Sequence, residues 1–221
     1  MEGYIFDLDG VLVDTATFHY QAWKRLAEEW FGYPFTEAEN ERFKGVNRIA
    51  CMRILCDLAG VTVSDDEPDV LTDYPKTDAT INLKLDPESH VSRRQISRED
   101  FERGMALKNA WYVELVQTMT PADVLPGARE FVERARAAGI RCAIGSASKN
   151  CGLVLEKTKL RNLFDAVADG LVVTKAKPDP EVFLCAARML CISPENCVVF
   201  EDAQVGIDAA KAGGMRCYAI G

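Results

Sequence analysis

Two pairs of carboxylates stand where they could do chemistry together. Asp7-Leu8-Asp9-Gly10 closes the apolar run 3–8, and Glu201-Asp202 follows the run 197–200. If both runs are strands of one α/β sheet, the acids lie beyond the carboxyl ends of the strands, where such sheets bind ligands. A carboxylate there can attack phosphorus, and a second one two residues on can give and take the proton. Gly10 lets the backbone turn sharply and come close to a ligand. Acids from two strand ends also make the oxygen set that a hard cation such as Mg²⁺ requires. Such an ion would offset the repulsion between an attacking carboxylate and a phosphate dianion.

Two more elements fit the same chemistry. Ser146-Ala147-Ser148-Lys149-Asn150 follows the apolar run 140–144. It sets hydroxyls, a lysine and free backbone N–H groups at a helix start, a combination suited to phosphate. Lys177-Pro178 stands just before another helical pattern, where a lysine can neutralise charge at a reacting phosphoryl group. Each element alone has a plainer alternative. Asp-x-Asp-Gly can be a solvated strand-end turn, Glu201-Asp202 a loop and helix cap, and the serine cluster an ordinary N-cap. A lone Lys-Pro carries no information by itself. The argument rests on their order and on the strands they follow.

The elements that must position these residues form an alternating pattern. Continuous apolar runs at 3–8, 140–144, 197–200 and 216–220 suit a parallel sheet covered on both faces. Helical patterns fall at 128–138, 150–157, 180–190 and 205–212. Together they predict a doubly wound, Rossmann-like α/β core made of residues 1–14 and 121–221. Residues 15–120 break the alternation and are mostly helical in pattern, with one helix expected over 107–119, so they are expected to form a helical cap inserted after the first strand. Within it, 62–95 is polar and broken by Pro68, Pro75 and Pro87, and is expected to be an irregular excursion.

Length and composition set the class. The 221 residues, 48% of them apolar, suffice for a core plus a smaller insert without disulfide staples. The net charge of −8 argues against nucleic acid or an anionic membrane as a main partner. A phosphate site must then be a local basic cluster in an acidic protein. The eight cysteines form no C-x-x-C pair and lie mostly in apolar runs, which suits a reducing compartment. No basic leader or spanning apolar run stands at the start, so a cytoplasmic location is expected.

The four elements, in this order, resemble the haloacid dehalogenase superfamily of phosphotransferases over nearly the whole chain. That resemblance implies Asp7 as the nucleophile that becomes phosphorylated and Asp9 as the general acid and base. Ser146 and Lys177 would hold the transferring phosphoryl group. Asp7, the backbone carbonyl of Asp9, Glu201 and Asp202 would be associated with Mg²⁺. The chain departs from the superfamily in its excursion at 62–95 and in ending at Gly221, where the core is expected to continue.

A narrower similarity lies in the cap. Thr15, His19, Ala22 and Trp23, then Lys44-Gly45-Val46-Asn47-Arg48, Lys108-Asn109, Pro121-Ala122-Asp123-Val124 and Pro126-Gly127 look like the β-phosphoglucomutase family. That family interconverts β-glucose 1-phosphate and glucose 6-phosphate through a phosphoaspartate and a sugar bisphosphate. The similarity implies that Arg48, Ser148, Lys149 and Asn150 hold the non-reacting phosphate. His19, Lys44, Gly45, Val46 and Lys108 would line the sugar pocket and hinge. Trp23 shares a helix face with His19 and is as well explained by cap packing, and Arg48 and Lys44 could be a solvated helix face. A mutase must hold a bisphosphate in two orientations, so it needs a second anion site that a simple phosphatase does not. The expectations are a small phosphosugar ligand, a monomer, and mutase activity. A Mg²⁺-dependent sugar-phosphate phosphatase and a catalytically silent binding module are the alternatives.

Overall fold

The computed structural model describes residues 2–43, 46–64 and 94–221. Strand β1 (Gly3–Phe6) opens the chain, which then leaves the sheet for a helical segment. This holds α1 (Ala16–Leu26), prolonged by a wider turn over Ala27–Phe31, then α2 (Glu37–Asn40) and α3 (Arg48–Leu58). Strands β2 (Val61–Val63) and β3 (Arg94–Ile96) follow, and then α4 (Arg98–Val116). The chain returns with α5 (Ala128–Ala137), β4 (Arg141–Gly145), α6 (Cys151–Lys157), β5 (Ala166–Ala168) and α7 (Glu181–Met189). It ends in β6 (Cys197–Glu201), α8 (Gln204–Ala212) and β7 (Arg216–Ala219).

The five strands of the main sheet lie in the order β5-β4-β1-β6-β7, every neighbouring pair parallel. The sheet is doubly wound, and period-two alternation explains how. Phe6, Cys142, Ile144, Val198 and Phe200 pack with Val132 and Ala135 of α5 and Val154 and Leu155 of α6. Ile5, Ala143 and Val199 point the other way, onto Val182, Phe183 and Ala186 of α7 and Ala209 and Ala210 of α8. The chain builds outward from β1 through β4 to β5, then crosses back to β6 on the other side. The carboxyl end of β1 is therefore the switch point where such sheets take ligands.

The helical segment has its own core. Trp23, Leu26, Phe31, Phe35, Phe43, Met52, Leu55 and Phe101 pack together. Its base is shared with the sheet, since Ala22, Tyr112, Val116 and Met119 join Phe6, Leu8 and Leu12 in one cluster. Shared packing on this scale fixes α1 and α4 over the carboxyl end of β1.

Three elements differ from the sequence reading. The excursion expected at 62–95 begins and ends in regular structure. Val61–Val63 pairs in parallel with Arg94–Ile96, and the Ser64 N–H donates to the Ile96 carbonyl at 2.9 Å. The β-branched run Val61-Thr62-Val63 favours the pleated surface, and Gly60, at φ 66°, ends α3 just before it. Residues 65–93 of the excursion lie outside the described residues. Helix α4 starts at Arg98, well before the expected 107, because Ser97 caps it by accepting from the Asp100 N–H. Strand β5 has only three residues, Ala-Val-Ala, too short to register as a run.

Phe183 is fully buried on the α7 face of the sheet. Its replacement by alanine should cost about 3–5 kcal/mol of stability, measured by urea unfolding. A loss under about 1 kcal/mol would mean that α7 does not hold that face.

Candidate active site

The site is built on chain ends that the sheet brings side by side. Phe6 is in register with Ile144 on one side and Phe200 on the other. Asp7 and Ser146 therefore follow, and Glu201 ends, three adjacent strands. The Asp7 N–H donates to the Phe200 carbonyl at 2.9 Å, and the Ser146 N–H to the Ala168 carbonyl at 3.0 Å. All three side chains are buried.

One cation ties the floor together. The Lys177 ammonium donates to Asp7 Oδ1 at 2.6 Å and to Glu201 Oε2 at 2.7 Å, and its side chain is 4% exposed. Burial works against its charge, but the Asp7 and Glu201 carboxylates outweigh that and hold its pKa above the ordinary lysine value. The ring of Phe183 lies 4.8 Å beneath the ammonium. Two glycines make room for the acids. A Cβ on Gly10, at φ +78°, would stand 2.1 Å from Asp202 Oδ2, and one on Gly206 would stand 2.1 Å from Glu201 Cδ.

The acids outnumber that cation. Carboxylate oxygens of Asp7, Glu201 and Asp202 all lie within 4.8 Å of one another. Burial and the nearby Asp7 charge push Glu201 up to about 7 and raise Asp202 as well. Hard oxygen donors in anionic excess fit a divalent cation of the Mg²⁺ kind. Glu201 is the most engaged of the three, with Oε2 on Lys177 and Oε1 accepting from the Ala203 N–H at 3.1 Å. The Asp9 side chain stands apart from this set and accepts from the Thr15 hydroxyl. Burial first, then the Asp7 charge, push Asp9 up to about 7 against that hydrogen bond and the Lys177 charge.

The helical segment supplies a second set of groups. Lys108 Nζ lies 2.8 Å from His19 Nδ1, 4.8 Å over the Trp23 ring and 5.0 Å over the Tyr112 ring. Lys108 is buried, and burial, together with the Arg48 charge, brings its pKa down to about 7 against the pull of Cys51 and Asp9. Burial and the Lys108 charge likewise hold His19 well below the ordinary histidine value. Trp23 belongs to the core of the segment, so packing is its visible role.

Further along α4, Asn109 Oδ1 accepts from Arg48 Nη2 at 2.7 Å and from Asn150 Nδ2 at 2.9 Å. This joins α3, α4 and the start of α6. Arg48 is half-buried, its pKa is lowered by burial, and it meets no carboxylate among the described residues. Ser148 Oγ accepts from the Asn150 N–H at 3.2 Å, while Lys149 is exposed. Val46 donates its N–H to the Phe43 carbonyl and packs at the edge of the segment's core. Lys44 and Gly45 lie outside the described residues.

Two residues gain importance that the pattern reading did not give them. Thr15, fully buried, holds Asp9. Tyr112 is stacked on His19 with ring centres 4.1 Å apart, and its buried hydroxyl has no hydrogen-bond partner among the described residues. Tyr112 lies one helical turn after Lys108, so the spacing was available as a signal.

The chain is similar to known proteins over nearly its whole length. Residues 1–214 match the family model of the haloacid dehalogenase-like hydrolases. The chain is 32% identical to a β-phosphoglucomutase of Bacillus subtilis, over the whole of this chain and 84% of that protein. It is 28% identical to a phosphorylated carbohydrates phosphatase of Thermotoga maritima, over the whole chain and 85% of the relative. The crystal structure of a β-phosphoglucomutase from Clostridium difficile superimposes with a TM-score of 0.79 at 31% identity, covering 99% of this chain and 84% of that one.

Two tests follow from the charges. Lys177→Met leaves the buried Asp7 and Glu201 carboxylates without their cation. In chelator it should lose about 3–5 kcal/mol of stability, and added Mg²⁺ should recover part of the loss. Unchanged stability in chelator would show that the acids do not depend on the lysine. Lys108→Met tests the second set. The folded pKa of Lys108, about 7, lies below an unfolded value of about 10.4. The unfolded state therefore binds more protons between those values, and wild-type stability gains from this group as pH rises. The advantage of Lys108→Met over wild type should be largest below pH 7 and shrink toward pH 10 in urea titrations. A constant difference would mean that Lys108 is not desolvated.

Proposed function

The chain belongs to the haloacid dehalogenase-like hydrolase family, and we propose that within it this enzyme is a phosphosugar mutase of the β-phosphoglucomutase kind, interconverting β-glucose 1-phosphate and glucose 6-phosphate. In this reading residues 1–14 and 121–221 are the catalytic core and 15–120 the cap. The observation that carries it is the second anion site. Arg48 is a half-buried guanidinium without a carboxylate among the described residues, and it meets Asn150 of the core on one shared acceptor. A planar guanidinium gives a bidentate phosphate contact, and a mutase needs such a site to hold the phosphate that is not reacting.

The steps assign each group a task. Asp7 attacks the phosphorus of a sugar bisphosphate, forming the aspartyl–phosphate bond as the bond between phosphorus and the sugar oxygen breaks. Asp9 delivers its proton to the leaving sugar oxygen. The phosphorylated Asp7 then gives its phosphoryl group to the free hydroxyl of an incoming sugar monophosphate, from which Asp9 takes the proton, and the bisphosphate so formed turns end for end before Asp7 attacks its other phosphate. A pKa near 7 suits a group that must work in both directions. Ser146 and Lys177 hold the oxygens of the phosphoryl group between the two sugars. Asp7, Asp202 and the Asp9 backbone carbonyl, backed by Glu201, would hold Mg²⁺, which supplies charge neutralisation when bound. His19, Val46 and Lys108 face the sugar, a role that the resemblance also gives to Lys44 and Gly45, Trp23 braces His19 and Lys108, and Arg48, Ser148, Lys149 and Asn150 grip the far phosphate. Seating of the cap keeps water from the phosphoaspartate.

A second reading, a Mg²⁺-dependent sugar-phosphate phosphatase, is favoured by the similarity to the phosphatase of Thermotoga maritima. One comparison decides between them. Arg48→Ala should lower conversion of β-glucose 1-phosphate, primed with bisphosphate, by about ten- to hundredfold, the worth of a hydrogen bond to a charged group. It should spare phosphorylation of Asp7 by acetyl phosphate, which has no second phosphate to hold. Equal loss in both assays would make Arg48 structural. Wild-type release of inorganic phosphate faster than formation of glucose 6-phosphate would establish the phosphatase.

A further inference from the structure

We infer that Asn109 is a positioning and selectivity residue of the distal anion site, occupying with its amide oxygen the place that a substrate phosphate takes between Arg48 and Asn150. The assignment rests on the phosphosugar reading above and adds a residue to it. Three observations carry it. First, one oxygen, Asn109 Oδ1, accepts from both donors, Arg48 Nη2 at 2.7 Å and Asn150 Nδ2 at 2.9 Å. A phosphate oxygen meeting the same two donors would bond them in the same way. Second, the donors come from opposite sides of the cleft. Arg48 opens α3 of the helical segment, whereas Asn150 is the residue before α6 of the sheet domain. Asn109 is thus a clasp between them as well as a local bond. Third, Arg48 is half-buried and unpaired with any carboxylate among the described residues.

The chemistry of the amide explains why asparagine suits this place. A guanidinium set among buried groups costs free energy unless its N–H groups are satisfied. An aspartate at 109 would satisfy them as an ion pair and would have to be displaced, or lie beside the incoming phosphate as a like charge. A neutral amide satisfies Arg48 more weakly and yields to a dianion. It also holds the donors of both sides near their final places, so less freedom is lost when the ligand arrives. Asn109 follows Lys108, whose ammonium faces His19. Neighbouring positions on α4 therefore address two different parts of the ligand, the sugar and the far phosphate.

The experiment compares Asn109→Asp and Asn109→Ala with wild type on two substrates, β-glucose 1-phosphate primed with bisphosphate, and acetyl phosphate. The aspartate variant keeps the size and the accepting oxygen, so a merely structural clasp would survive it or tighten. A yielding placeholder would not. The expected result is a KM for the hexose phosphate raised about ten- to hundredfold in Asn109→Asp, partly reversed by raising ionic strength, with acetyl phosphate turnover unchanged. Asn109→Ala should raise the same KM by a smaller factor, through loss of the clasp, and again leave acetyl phosphate alone. An unchanged hexose-phosphate KM in both variants, or equal losses on both substrates, would overturn the assignment. The wild-type arm separates the two levels of argument. A wild type that does not act on the hexose phosphate ends the mutase reading and the assignment with it. A wild type that acts on it while Asn109→Asp binds it normally ends only the role of Asn109.

Discussion

A single buried ammonium decides what the carboxyl edge of this sheet can be. Asp7 and Glu201 are brought within reach of one another by parallel pairing of β1 and β6, and both are buried. Two carboxylates in that position repel, and taking either out of water is costly. Lys177 answers both at once, at 2.6 and 2.7 Å. Its own burial would be untenable without them. The three groups are thus mutually required. The packing around them, Phe183 beneath the ammonium and glycines against Glu201 and Asp202, leaves little room for another arrangement.

The compensation is deliberately incomplete. Asp202 joins Asp7 and Glu201 within 4.8 Å, so three acids share one lysine, and two of them have raised pKa values. This is the charge state of a site that gains from a further cation. Above it the helical segment places the opposite imbalance. Arg48, Lys108 and His19 press on one another, and the two cations lower the His19 pKa. An acidic floor and a basic roof, each unsatisfied alone, suit a cation below and an anion above.

How legible this was depended on whether a signal was local in the chain. Asp7, Asp9, Ser146, Glu201 and Asp202 stand at or just beyond the ends of apolar runs, so strand periodicity was enough to gather them at one edge. The doubly wound class followed from the same alternation, whereas β5, with three residues, is below any useful window. The start of α4 was missed because its cap, Ser97 with Asp100, is a two-residue signal inside a polar stretch. The short ladder of β2 and β3 was missed because its partners lie on either side of the long proline-broken excursion. Asn109 was visible only as a neighbour of Lys108. Its partners are 61 and 41 positions away, and no spacing rule reaches that far.

The distribution of burial completes the argument about specificity. Lys108 and His19 are drawn toward their neutral forms by burial and by each other, whereas Lys177 is held charged by the acids that flank it. Lys177, which the proposed function puts at the reacting end, is a fixed charge, present whatever binds. The groups facing the rest of the ligand are poised, and gain protons or partners only when an anion enters between them. A small donor that fills the reacting end alone would meet Lys177 and leave the roof unsatisfied. In the proposed reading, a ligand with phosphates at both ends meets the fixed charge below and relieves the cations above. Binding energy from the far end is therefore available to seat the helical segment, which is how remote contacts come to act on the reacting centre.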